Sequence, residues 1–128
     1  MLDDVLKQAA KVVRGGGIVA FPTETFYGLA VDPTQQASLS RLLTIKQRDA
    51  DKGIPVIAAD FEDVTRHFHV PEAFVEPLRT IWPAPLSVAL KPRSIVSPDL
   101  SGQYESVAVR VSDNQLARGL ARLSGGII

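Results

Sequence analysis

The sequence predicts a single α/β layer domain organised around a twisted sheet. Two observations carry that expectation. Short apolar runs rich in β-branched residues alternate with segments whose apolar positions recur at helical spacing. Gly, Pro and Asp punctuate the boundaries, and no repeat, low-complexity tract or interdomain linker divides the 128 residues.

The first helix is expected from Leu2, Val5, Leu6, Ala9, Val12 and Val13, which fall on one face. Asp3 and Asp4 sit where the helix dipole favours negative charge. Gly15, Gly16 and Gly17 end it. Ile18 to Phe21 then reads as a strand, and Pro22 lacks the donor that would extend its ladder. Asp32, Pro33 and Thr34 introduce a second helix over Gln36 to Lys46, apolar at Leu39, Leu42, Leu43 and Ile45. Ile54 to Ala59 reads as a buried strand.

Two short helices follow, Asp60 to Phe68 and Pro71 to Thr80, with Asp60 and Pro71 as start signals. Trp82-Pro83-Ala84-Pro85 makes a rigid turn, because each proline fixes its φ. Leu86 to Lys91 and Val107 to Val111 are further strands, separated by a polar loop from Pro92 to Glu105. Asp113 opens a last helix through Leu116, Ala117, Leu120, Ala121 and Leu123. Gly125 and Gly126 stop it. Ile127-Ile128 has the character of a strand begun and left unpaired, which predicts that the chain lacks a C-terminal strand.

Composition narrows the function. The chain is 45% hydrophobic and 22% charged, as expected of a soluble globular domain. Its 14 cations balance 14 anions, so no overall basic field draws it to nucleic acid, although a local patch is compatible with this balance. Without cysteine there is no disulfide, thiolate metal site or thiol nucleophile, and a reducing compartment suits it. The N-terminus carries acids where a secretory signal carries bases, and no apolar run approaches the length that spans a bilayer. A cytoplasmic location is expected, with no membrane partner.

The chemistry concentrates in GGGIVAFPTETFYGLAVDP, from Gly15 to Pro33, and KQRDADK, from Lys46 to Lys52. After the strand, Thr23, Glu24, Thr25 and Tyr27 bring hydroxyls, a carboxylate and a phenol into one turn. Such a turn either cradles a polar ligand or satisfies its own backbone. Lys46, Arg48 and Lys52 form either a phosphate clamp or a solvated helix end neutralised by Asp49 and Asp51. Arg110 lies in the otherwise apolar Val107-Ala108-Val109-Arg110-Val111. A buried arginine needs an anionic partner, which is an internal carboxylate or a substrate carboxylate. His67 and His69 have no matching metal-ligand constellation and read as surface residues flanking Phe68. Neither a dinucleotide nor a P-loop glycine pattern is present.

IVAFPTETFYGLAVDP, LLTIKQRDADKGIPVIAA, WPAPLSVALKPR and SVAVRVSDN, in this order, closely resemble the YrdC-like domain of the threonylcarbamoyl-AMP synthase family. The resemblance runs from about Leu2 to Ile128. It implies an α/β fold with a twisted, mostly open sheet, helices packed on it and a concave basic pocket. It implies condensation of L-threonine, bicarbonate and ATP to threonylcarbamoyl-AMP with release of pyrophosphate. ATP is then a substrate with Mg²⁺, and no organic cofactor is implied. The product serves threonylcarbamoyladenosine formation in tRNA, through downstream threonylcarbamoyl-transfer proteins.

By motif position, Thr23 and Arg110 would hold the substrate threonine, Arg110 through its carboxylate. Lys46 and Arg48 would hold the nucleotide phosphates, assisted by Lys52, with Ser106 near the nucleotide. No side-chain nucleophile is implied. Ala84 stands where the family commonly has glycine. The family pattern continues past the Ile127 strand into a Ser-x-Asn segment that completes the nucleotide site, so impaired activity is expected of these residues alone. Two alternative readings of this chain keep the same fold. One is a module that binds double-stranded RNA or tRNA without chemistry. The other is the YrdC-like domain of a hydrogenase-maturation carbamoyltransferase.

Overall fold

A computed structural model describes residues 2–23, 27–46 and 53–128. Helix α1 (Leu2–Arg14) leads into an antiparallel hairpin of β1 (Val19–Pro22) and β2 (Tyr27–Ala30). Helix α2 (Gln36–Lys46) precedes β3 (Val56–Ala58), α3 (Phe61–His67), β4 (Phe68–His69) and α4 (Glu72–Ile81). Then come β5 (Val88–Pro92), a 3₁₀ turn (Pro98–Ser101), β6 (Val107–Val111) and α5 (Gln115–Leu123). The main sheet has strand order β3-β6-β5-β4. Among the described strands only β3 and β6 are parallel. The expected α/β fold with an open sheet is therefore present.

Burial explains the layering. Val56 and Ala58 point into one apolar core with Val107, Val109, Val111 and Leu90. Ile57 and Ala59 point into a second, with Ala10 and Val13 of α1 and Ala117, Leu120 and Ala121 of α5. Strand β3 is thus buried on both faces, which its unbroken apolar run anticipates. Strand β6 is not. Its burial alternates, with Val107, Val109 and Val111 inside and Ala108 exposed. Helices α1 and α5 pack on each other and α5 on β3, so they cover this second face mainly at the β3 edge.

Several local expectations change. Val5 and Val12 are 61% and 48% exposed, so the contact face of α1 is the narrower stripe of Leu6, Ala9, Ala10 and Val13. One helix packing on one neighbour covers less arc than the apolar positions of α1 span. Asn114, not Asp113, caps α5: its side-chain oxygen accepts from the N–H groups of Leu116 and Ala117. His67 is buried rather than superficial, with Nδ1 2.8 Å from the carbonyl oxygen of Asp63. Pro22 remains in the ladder opposite Tyr27, at the end of β1. Strands β2 and β4 and the 3₁₀ turn were not expected.

The residues after α5 pair with β3. The N–H of Ile57 donates to the Ile128 carbonyl at 3.0 Å, and that of Ile128 returns to Ile57 at 2.9 Å. Ala59 N–H donates to Gly126 at 2.9 Å. The strand character read at Ile127-Ile128 is present, and it is paired. Gly126 makes this approach possible. Its φ is +109°, and an added Cβ would lie 2.5 Å from Oδ1 of Asp63. Gly125 has the same φ with nothing within 4 Å of its Cβ position.

Gly126→Ala is expected to cost more stability than Gly125→Ala. The latter carries only left-handed backbone strain of about 1–2 kcal/mol, whereas the former adds the clash with Asp63. Urea midpoints of the two variants test this, and equal losses would contradict it.

Burial raises the Asp63 carboxyl above its ordinary value, Asp60 adds to the rise, and Arg66 at 2.8 Å opposes it. A raised folded-state value means that the folded chain holds the proton more tightly than the unfolded chain. That contribution is fully present below the ordinary carboxylate value and is lost as pH rises through the folded value. Asp63→Asn, which keeps the shape and cannot ionise, should therefore gain stability relative to the parent between pH 3 and pH 7. A constant difference in urea midpoint across that range would refute it.

Candidate functional site

The hairpin, α2 and the main sheet meet around a cavity of about 210 Å³. Phe21, Thr23, Tyr27 and Leu29 line it from the hairpin, and Leu39, Leu42 and Lys46 from α2. The sheet contributes Val56, Ile57 and Arg110, and Leu100 comes from the 3₁₀ turn. Ile128 closes the wall beside Ile57, with which it exchanges backbone hydrogen bonds.

Each polar group reaches the cavity for a local reason. Thr23 is the first residue past Pro22, where the β1 ladder ends. Lys46 is the last residue of α2, and a cation is favoured there by the helix dipole. The start of α2 is fixed by Asp32. Its Oδ1 accepts from the backbone N–H and hydroxyl of Thr34 at 2.9 and 2.7 Å, and its Oδ2 from Gln35 Nε2 at 3.0 Å. Gln35 Nε2 also donates to the carbonyl of Arg14, tying α2 to the end of α1.

Arg110 is placed by alternation. With its neighbours Val109 and Val111 in the core, its side chain takes the opposite face, where Ile57 of β3 is its register partner. Extending the β5–β6 register by one residue sets Ser87 on its other side, and Ser87 lines the cavity too.

Three residues predicted from the sequence therefore converge: Thr23, Lys46 and Arg110. Arg48 and Lys52 lie outside the described residues, as do Glu24 and Thr25 of the hydroxyl-rich turn. Ser106 does not line the cavity. It is exposed and precedes β6, on the same face as Arg110 by the two-residue period. Sequence reasoning missed Ser87, Leu100 and Ile128. Pairing the two alternating strands against each other would have found Ser87. Leu100 and Ile128 depend on tertiary contacts that no local pattern encodes.

The electrostatics are one-sided. Among the described lining residues the charged groups are Lys46 and Arg110, and none is a carboxylate. The remaining wall is largely aliphatic and aromatic, so the expected basic pocket is basic at two points and apolar between them. Such a site suits a ligand with separate anionic ends and an apolar middle. Among the described residues no group of three His, Asp or Glu side chains could hold a metal ion. No described helix is long and apolar enough to cross a membrane.

The Sua5_yciO_yrdC family model, described as "Telomere recombination", matches residues 11–128. A threonylcarbamoyl-AMP synthase of Nitrosococcus oceani is 39% identical over 121 residues, covering 94% of this chain and 65% of that protein. One from Vibrio vulnificus is 38% identical over 118 residues, covering 90% and 63%. The chain thus spans slightly less than two thirds of the length of these relatives. Sua5 of P. abyssi, solved in complex with L-threonine, superposes with a TM-score of 0.91 at 31% identity, over 98% of this chain and 37% of that one. E. coli YciO shares the fold, with a TM-score of 0.86 at 21% identity, over 98% of this chain and 61% of that one. With the family model covering the cavity walls and relatives above 30% identity along nearly its whole length, the chain belongs to the Sua5/YciO/YrdC family.

Proposed function

We propose that this chain binds L-threonine and ATP in the cavity, and that the protein it represents is a threonylcarbamoyl-AMP synthase. The observation that carries the reading is the meeting of Thr23, Lys46 and Arg110 around a cavity with no carboxylate among its described lining residues. The named synthases among its relatives, and the threonine bound to P. abyssi Sua5, support it.

Arg110 takes the threonine carboxylate, since a guanidinium offers paired donors matched to carboxylate oxygens. Thr23 supplies a hydroxyl to the polar part of the amino acid. Lys46 meets nucleotide phosphate as a movable point charge. Arg48 and Lys52 add cations from the same segment by their place in the motif.

The reaction balances without a protein nucleophile. The amine of threonine and bicarbonate give a carbamate and water. A carbamate oxygen forms a bond to the α-phosphorus of ATP, the bond from that phosphorus to the bridging oxygen breaks, and pyrophosphate leaves with the electron pair. Two anions must be brought together, so fixed cations aimed at them lower the barrier. Holding both in one cavity supplies the proximity. Mg²⁺ would be the counter-ion of ATP, screening its phosphates. The described lining offers it the hydroxyls of Thr23 and Ser87 but no carboxylate, which suits an ion carried mainly by phosphate and water. The product would pass to threonylcarbamoyl-transfer proteins acting on tRNA, in the cytoplasm.

Pyrophosphate release from ATP is expected only when L-threonine and bicarbonate are both supplied. Equal release without threonine would end the synthase reading. Calorimetric titration separates the roles within the cavity. Arg110→Ala should weaken L-threonine by about 2–5 kcal/mol, as for truncation of one partner of a buried charge pair, with a smaller loss for ATP. Lys46→Ala should show the opposite order. Parallel loss of both ligands by a folded variant would reject this division.

A further inference from the structure

Ile128 reaches the cavity wall by a link that leaves α5 at Ser124. Gly125 and Gly126, both at φ +109°, form the middle of that link. A glycine pair has no side chain to anchor it and permits a wide range of backbone angles. The link therefore takes its position from what it touches. Two of its contacts are backbone hydrogen bonds. Gly126 N–H donates to the Ala121 carbonyl at 2.7 Å, and the Gly126 carbonyl accepts from Ala59 at 2.9 Å. The third contact is a side chain. The three atoms nearest to the Cβ position of Gly126 all belong to Asp63, in the first turn of α3.

Asp63 is itself held in place. It is 6% exposed. Its backbone N–H donates to the Asp60 side chain at 2.9 Å, and Arg66, three residues on, meets its Oδ1 at 2.8 Å. Arg122, in the last turn of α5, approaches Asp60 at 4.0 Å. The start of α3 and the end of α5 are thus drawn together beside the link. Asp63 does not line the cavity. Its route there runs through Gly126 to Ile128, which exchanges both backbone hydrogen bonds with Ile57. Ile57 is in turn the register partner of Arg110. Ile128, Ile57 and Arg110 therefore form one row across the sheet, and all three line the cavity.

We propose that Asp63 is a positioning residue for the cavity: its carboxyl group seats Gly126, and so sets where Ile128 stands in the row that ends at Arg110. The inference rests on the synthase reading for its ligand, L-threonine, while the seat itself is measured without any ligand. A shift of the link moves one wall of a cavity whose polar groups are otherwise fixed. Affinity for a small ligand depends on that wall, because a site holds its ligand by fit as well as by charge.

Amide hydrogen exchange at Ile57, Ala59 and Ile128 reports the seat, and calorimetric titration with L-threonine reports the wall. Gly126→Ala should speed exchange at these amides and weaken L-threonine about tenfold, within the range over which contacting residues couple. Gly125→Ala carries the same left-handed strain with nothing near its Cβ position, and its effect on both should be much smaller. Adding Asp63→Ala to Gly126→Ala removes Oδ1 and Cγ, the two closest atoms, and should recover most of the lost affinity. As single changes, Asp63→Ala should weaken L-threonine, and Asp63→Asn, which keeps the shape, should bind it as the parent does. Where Gly126→Ala does not fold, these two single changes decide. A merely structural role would lower melting temperatures and leave the affinity of the folded variants at the parent value. That result, or equal losses of affinity in the two glycine variants with no recovery in the double variant, refutes the inference and leaves the synthase reading standing. If the parent does not bind L-threonine, the synthase reading falls, and the exchange rates alone uphold or refute the seat.

Discussion

The structure depends on the two-residue alternation of β6. Val107, Val109 and Val111 fill the core, and the same backbone must then present Ala108 and Arg110 to the other side. A slip of one residue would bury the guanidinium and expose three valines. Each valine contributes about 1.5–3 kcal/mol when fully buried, and an unpaired charge in the core is more costly still. The register that stabilises the core is therefore the register that delivers Arg110 to the cavity. Parallel pairing with β3 and antiparallel pairing with β5 hold it from both sides.

The cavity exists because the helices cover the second sheet face unevenly. Helix α5 packs on β3, and α1 packs on α5. The β1–β2 hairpin stands beside them through Phe21 and Ala30, which join the same core. Where that cover ends, Ile57, Arg110 and Phe21 surround a space bounded on its remaining sides by α2 and the 3₁₀ turn. An apolar wall on a rigid scaffold keeps the few polar groups in place, and the low local polarity strengthens their hold on anions. Ala89 and Ala108, farther out on the same face, are left exposed.

Much of this was legible in the sequence because the decisive signals are local. The alternation around Arg110, the helix ending at Lys46 and the strand that ends at Pro22 are each visible within a few residues. They suffice to bring Thr23, Lys46 and Arg110 forward. What stayed hidden depends on tertiary contacts. Strand β4 has only two residues and exists because Phe68 and His69 pair with Pro92 and Lys91. Strand β2 follows a turn rich in polar residues, and its Tyr27 is 73% exposed, so no apolar alternation marks its start. His67 reads as superficial from its neighbours but is drawn inward by the Asp63 carbonyl. In α1 the apolar stripe is wider than the surface available to it, which made Val5 and Val12 look buried.

On the proposed reading, Arg110 and Lys46 present one cavity to two different anions. A crystal structure grown with L-threonine and a non-hydrolysable ATP analogue tests it most directly. The threonine carboxylate is expected within about 2.7–2.9 Å of the Arg110 guanidinium, with nucleotide phosphate on the Lys46 side of the same cavity. Threonine bound elsewhere, or phosphate paired with Arg110 in place of the carboxylate, would contradict it.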